Sequence, residues 1–99
     1  FGYLALKSNT TGTRNTALGL STLFYNTDGT TNIAIGREAL YNNTTGSYNT
    51  ILGSTAGFNN TTGSRNVFIG YDAGSNSNLT YRCLREDCTS NFRLQTAKQ

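Results

Sequence analysis

Apolar and polar positions recur along this chain with a single period. The run from Asn32 to Tyr48, NIAIGREALYNNTTGSY, is preceded by NTALGLSTLFYNTDGTT (Asn15 to Thr31). It is followed by NTILGSTAGFNNTTGSR (Asn49 to Arg65) and NVFIGYDAGSNSNLTYR (Asn66 to Arg82), and a shortened copy, FGYLALKSNTTGTR, stands at residues 1–14. The copies align without a gap, so Gly2, Gly19, Gly36, Gly53 and Gly70 fall in register 17 residues apart, as do Asn15, Asn32, Asn49 and Asn66. A short fixed period is the signature of a solenoid, in which one coil cannot bury its apolar side alone and must stack on its neighbours. The pattern predicts an all-β chain: a parallel β-solenoid (β-roll) of five 17-residue coils over residues 1–14, 15–31, 32–48, 49–65 and 66–82, with a non-repeat tail over 83–99. The first coil lacks its first three positions, as expected after processing, in a piece of a longer protein, or where a neighbouring subunit completes the coil.

Each copy opens with a short apolar, β-prone run: Thr16-Ala17-Leu18, Ile33-Ala34-Ile35, Thr50-Ile51-Leu52 and Val67-Phe68-Ile69. Every run enters a Gly, which reads as a strand of about five residues and then a tight bend. Successive strand side chains face opposite ways. Giving the larger aliphatics the inside makes Leu18, Ile35, Leu52 and Ile69 the expected coil core. The row Ala17, Ala34, Ile51 and Phe68 then lies outside as an apolar stripe needing a cover, the expected subunit interface.

A second apolar segment, Leu6-Lys7, Leu23-Phe24, Leu40-Tyr41, Gly57-Phe58 and Gly74-Ser75, can form a return strand, with Phe24, Tyr41 and Phe58 stacked as an aromatic ladder. The corners SNTTGT, YNTDGT and NNTTGS are built of turn formers that tolerate positive φ or bond their own backbone. Identical Asn side chains at strand spacing can bond amide to amide, so Asn15, Asn32, Asn49 and Asn66 are expected to form a structural ladder. Five coils at strand spacing make a rod roughly 24 Å tall with an open sheet edge at each end, and open edges invite pairing.

Composition changes the picture only in part. Hydrophobic residues supply 35% of 99 residues, thin for a self-sufficient core, and Thr, Asn and Gly (17, 13 and 11) supply 41. Such a chain reads as disordered by composition, yet disorder gives no reason to keep a period. The net charge of +3 comes from scattered basic residues, so no nucleic-acid partner is expected. The absence of a long apolar run argues against membrane insertion.

The motifs NTALG, NIAIGREAL, NTILGSTAG and NVFIGYDAG with their NTTG corners resemble the repeats of trimeric autotransporter adhesin heads, and of phage tail fibres and bacterial surface proteins with NTAIGYxAL-type repeats, often ahead of an endosialidase-type chaperone domain. The resemblance covers Phe1 to about Gly74. It implies a left-handed parallel β-roll, three chains side by side with apolar strands toward the trimer axis, and no catalytic residue in the repeats. The family's usual coil is shorter, so NNTTG looks like an expanded corner. A stiff fibre exposed at a cell or virion surface, touching cells or matrix glycans, is the function such repeats imply.

In the tail, Cys83 and Cys88 are the only cysteines, and with no His in the chain they cannot complete a zinc site, so no metal or cofactor is expected. A disulfide within the chain or between subunits fits an extracellular protein. Six Asn-X-Ser/Thr sequons occur, at Asn9, Asn42, Asn43, Asn59, Asn60 and Asn78. Asn9, Asn43 and Asn60 share one corner, and with Asn78 they are the candidate glycosylation sites. The acids Asp28, Glu38, Asp72, Glu86 and Asp87 form no spaced pair for acid–base work, so no enzyme is expected. The expected function is therefore an extracellular, self-assembling fibre segment, trimeric or joined end to end. An ice-binding solenoid and a glycan-binding adhesin tip are the alternatives. Against ice binding, Thr10-Thr11, Thr44-Thr45 and Thr61-Thr62 are adjacent pairs, whereas a flat array wants Thr two apart on one strand face.

Overall fold

The computed structural model describes residues 1–76. Among these the regular elements are four short strands, β1 (Thr16–Leu18), β2 (Ile33–Ile35), β3 (Thr50–Leu52) and β4 (Val67–Ile69), and no helix. They form one parallel sheet in chain order. Thr16 pairs with Ile33, Ile33 with Thr50 and Thr50 with Val67, so each step up the sheet is one sequence period. Consecutive parallel strands joined by 14 intervening residues require the chain to return to its starting side each time, an arrangement compatible with a β-solenoid.

The strands are three residues long, shorter than the sequence suggests, because the Gly after each one leaves the β region at once. Gly36 has φ +133° and Gly53 +141°, and a Cβ at either would sit 2.4–2.5 Å from the carbonyl oxygen of the equivalent Gly in the next repeat. Conformation and space both exclude a side chain there.

The return leg is not a strand. Positive φ alternates with ordinary values, at Ser21 and Leu23, Glu38 and Leu40, Thr55 and Gly57, Asp72 and Gly74. This alternation turns every second amide toward the next repeat: Leu23 N–H donates to Ala39 O at 3.0 Å, Leu40 N–H to Ala56 O at 2.9 Å and Gly57 N–H to Ala73 O at 2.9 Å. A left-handed leucine costs on the order of 1–3 kcal/mol. It persists because its N–H is tied to the next repeat while its carbonyl accepts the N–H of the Asn three residues on, Asn26 on Leu23 O at 3.2 Å and Asn43 on Leu40 O at 3.1 Å.

The faces of the strands are the reverse of the sequence expectation. The middle residues Ala17, Ala34, Ile51 and Phe68 point inward and form the core with Leu23, Leu40, Ala39, Ala56 and Ala73. Leu18 and Leu52, expected inside, are 44% and 46% exposed, and Ile35 and Ile69 are half-buried. The reason is the narrowness of the interior, which takes one large side chain per level. Ala17 and Ala34 leave room for Leu23 and Leu40 across the coil. Where the return leg carries Gly57 or Gly74, Ile51 and Phe68 fill the space instead, and a Cβ on Gly74 would come within 2.6 Å of the Phe68 ring.

Candidate functional site

Three longitudinal features run along the stack, and each arises because side chains of similar kind recur at one position of successive repeats. The first is the outer face of the sheet. Strand alternation that buries the middle residue must expose its neighbours, so Thr16, Ile33, Thr50 and Val67 form one outward column and Leu18, Ile35, Leu52 and Ile69 another. Ile33 is 45% exposed. The result is an apolar strip on the outside of the molecule that includes Leu18, Ile35, Leu52 and Ile69, the residues assigned by sequence to the core. The row Ala17, Ala34, Ile51 and Phe68 is sealed inside and cannot meet another subunit.

The second feature is a pair of asparagine ladders. In the expected one, Asn32 Nδ2 donates to Asn15 Oδ1 at 3.1 Å and to Gly46 O at 2.9 Å, and Asn15 Oδ1 also accepts the Asn32 backbone N–H at 2.9 Å. Asn49 repeats this on Asn32 and Gly63, and Asn66 N–H reaches Asn49 Oδ1 at 3.0 Å. The other ladder was not foreseen. Asn26 Nδ2 donates to Asn9 Oδ1, Asn43 to Asn26 and Asn60 to Asn43, at 2.8–2.9 Å, and each also donates to the Gly three residues on. Gly46 O therefore receives two amides, from Asn32 and Asn43. The signal in the sequence was the invariant Asn-X-X-Gly spacing of the corner, which places an Asn amide against the carbonyl three residues later.

This second ladder removes Asn43 and Asn60 as glycosylation sites. Both are fully buried, and both hydrogens of each side-chain nitrogen are engaged. Asn9, half-buried at the ladder's end, donates to Gly12 O at 2.9 Å. Asn78, Cys83 and Cys88 lie outside the described residues, as does the whole 83–99 tail.

The third feature is aromatic. Phe24 and Tyr41 stack with ring centroids 5.2 Å apart, Tyr41 and Phe58 at 5.0 Å, and Tyr25 meets Phe24 edge-on at 4.7 Å. Desolvation together with the adjacent Tyr25 hydroxyl holds the Tyr41 phenol above its ordinary value of 10.0. An open groove of about 650 Å³ is lined by Tyr25, Thr27, Asn42, Thr44, Asn59 and Thr61, together with Ser8. The threonine hydroxyls are turned into the structure: Thr27 and Thr44 donate to the carbonyls of Thr44 and Thr61 at 3.3 and 3.2 Å. The corner backbone is equally committed, with the amides of Thr27, Asp28 and Gly29 converging on Thr44 O at 3.0–3.2 Å.

Charge contributes little order. The Arg37–Glu38 pair at 3.4 Å joins adjacent residues at the surface, a class of contact that adds little stability. Comparison with protein families, with curated proteins and with solved structures returned no match.

Proposed function

We propose that this chain is an extracellular structural repeat protein, a β-solenoid of five coils that self-assembles as a segment of a fibre at a cell or virion surface. The observation that carries this reading is the outward strip of Leu18, Ile33, Ile35, Leu52 and Ile69. It runs the length of the sheet, keeps one residue position per column because the strands are in register, and is partly open to water. Soluble monomers rarely leave a large contiguous apolar patch uncovered. A second copy of the same chain is the simplest cover, since it presents the same strip at the same spacing. The lateral contact, in a trimer or a filament, thus runs through these outer residues. No catalytic group is assigned to the chain. Among the described residues no acid, base and nucleophile gather, and two carboxylates accept from threonine hydroxyls, Asp28 from Thr11 and Asp72 from Thr55.

Substituting Ile35→Lys together with Leu52→Lys tests the proposal. Both side chains are outward, so the circular-dichroism spectrum is expected to stay that of the parent. Light scattering is expected to show the parent as a multimer or filament and the variant as a monomer. A monomeric parent at high concentration, or a variant that assembles as before, would sink the reading.

An ice-ordering surface has weaker support, because the hydroxyls of Thr10, Thr27 and Thr44 are donated to protein carbonyls. Thermal hysteresis is expected to be absent.

A further inference from the structure

The corners hold tandem asparagines, Asn42-Asn43 and Asn59-Asn60, and each member heads its own sequon. Thr44 completes the sequon of Asn42 and Thr45 that of Asn43, while Thr61 serves Asn59 and Thr62 serves Asn60. The fold treats the two members oppositely. Asn43 and Asn60 point inward and use both amide hydrogens, whereas Asn42 is half-buried, Asn59 is exposed, and both line the outer groove. Asn42 Nδ2 makes one long contact, 3.4 Å to Asn59 Oδ1, and Asn59 Nδ2 one of 3.5 Å to Asn76 Oδ1.

An amide nitrogen carries two hydrogens, and N-glycosylation replaces one of them. At Asn42 and Asn59 the remaining hydrogen suffices for the single contact, and the sugar leaves into the groove. At Asn43 and Asn60 the loss breaks either the ladder bond or the bond to the glycine carbonyl, and the sugar has no exit from a fully buried site.

The structure assigns N-glycan attachment to Asn42 and Asn59, one repeat apart on the same edge of the stack, and denies it to Asn43 and Asn60. The donor is a diphosphate-activated glycan supplied with its transferase by the secretory route. The Asn nitrogen forms a bond to the anomeric carbon, the bond from that carbon to the phosphate oxygen breaks, the diphosphate leaves with the electron pair, and one amide proton passes to base. A chain modified on Asn43 or Asn60 before folding cannot close its corner and is lost from the folded population. The inference rests on the extracellular placement proposed above.

Enzymatic removal of N-glycans from native material in heavy-oxygen water, followed by peptide mapping, tests it. The heavy label is expected at positions 42 and 59 and nowhere in positions 43 and 60. Label at 43 or 60 in folded protein, or no label at 42 and 59, overturns the assignment. The sequon hydroxyls give a second test in a glycosylating secretory host. Thr45→Val with Thr62→Val, both at exposed positions, is expected to keep both sugars. Thr44→Val with Thr61→Val is expected to lose both, and Asn42→Gln with Asn59→Gln serves if that pair folds poorly. Light scattering on the deglycosylated protein reads assembly separately, so failure of the fibre reading and failure of the sugar assignment are told apart.

Discussion

Replacing Phe68 with Ala is expected to destabilise the protein by about 3–5 kcal/mol, the usual cost of emptying a large buried aromatic site. Phe68 is fully buried, and the glycine across from it contributes no side chain to refill the space. Gly74→Leu alone is expected to be as damaging, since even a Cβ there would approach the Phe68 ring to 2.6 Å. Combined, the two changes recreate the pairing already present at Ala17 with Leu23 and Ala34 with Leu40, in a backbone conformation, φ near +60°, that those leucines also adopt. The double variant is therefore expected to recover most of the loss, a coupling larger than the roughly 0.5–3 kcal/mol usual for touching residues. Urea denaturation of the two single variants and the double decides it. Simple additivity would mean that strand and return leg do not share one interior volume.

The second large effect is expected at Asn49. Asn49→Ala removes the donors to Asn32 Oδ1 and Gly63 O and the acceptor of the Asn66 backbone N–H, all at 3.0 Å and all buried. Asn32 Oδ1 and Gly63 O each keep a second donor, respectively the backbone N–H of residue 49 and Asn60 Nδ2. The main cost is therefore the buried Asn66 N–H losing its acceptor, about 1–3 kcal/mol, and with the two lost side-chain bonds a total of roughly 2–4 kcal/mol is expected. Asn59→Ala, on the exterior of the same repeat, is expected to change stability by less than about 0.5 kcal/mol. Thermal melts of the two variants side by side check this, and equal effects would contradict the assignment of the ladders as the internal support of the corner.

Much of this architecture was legible because translation by one period is a strong constraint. Once Asn15, Asn32, Asn49 and Asn66 share a register, a column of amides follows, and the same reasoning places Phe24 over Tyr41 over Phe58. Orientation was harder. A three-residue strand with apolar residues at all positions, such as Ile33-Ala34-Ile35, does not declare its inner face by alternation, and size pointed the wrong way. The decisive information lay six residues downstream, in the inverse sizes of Ala34 with Leu40, Ile51 with Gly57 and Phe68 with Gly74. The curled return leg was hidden for another reason: leucine at positive φ runs against local preference, and only contacts between repeats make it possible. The sequons misled because Asn-X-Thr describes the unfolded chain, whereas the adjacent Asn residues of NNTTG face opposite sides of the wall.

The uniform spacing of the hydrogen bonds has a mechanical consequence. Among the described residues nearly every contact between repeats joins positions about 17 apart, as in Leu23 with Ala39 or Tyr25 with Tyr41, and none of these bonds locks the bottom of the stack to the top. Tension applied to the two ends loads one layer at a time. The outermost turn peels, pays out a tether of about 55–60 Å at the reach of an extended chain, and leaves the layer beneath it whole. Such a rod gives way by successive short slips and can rewind from what remains, so a fibre built from it yields gradually under drag.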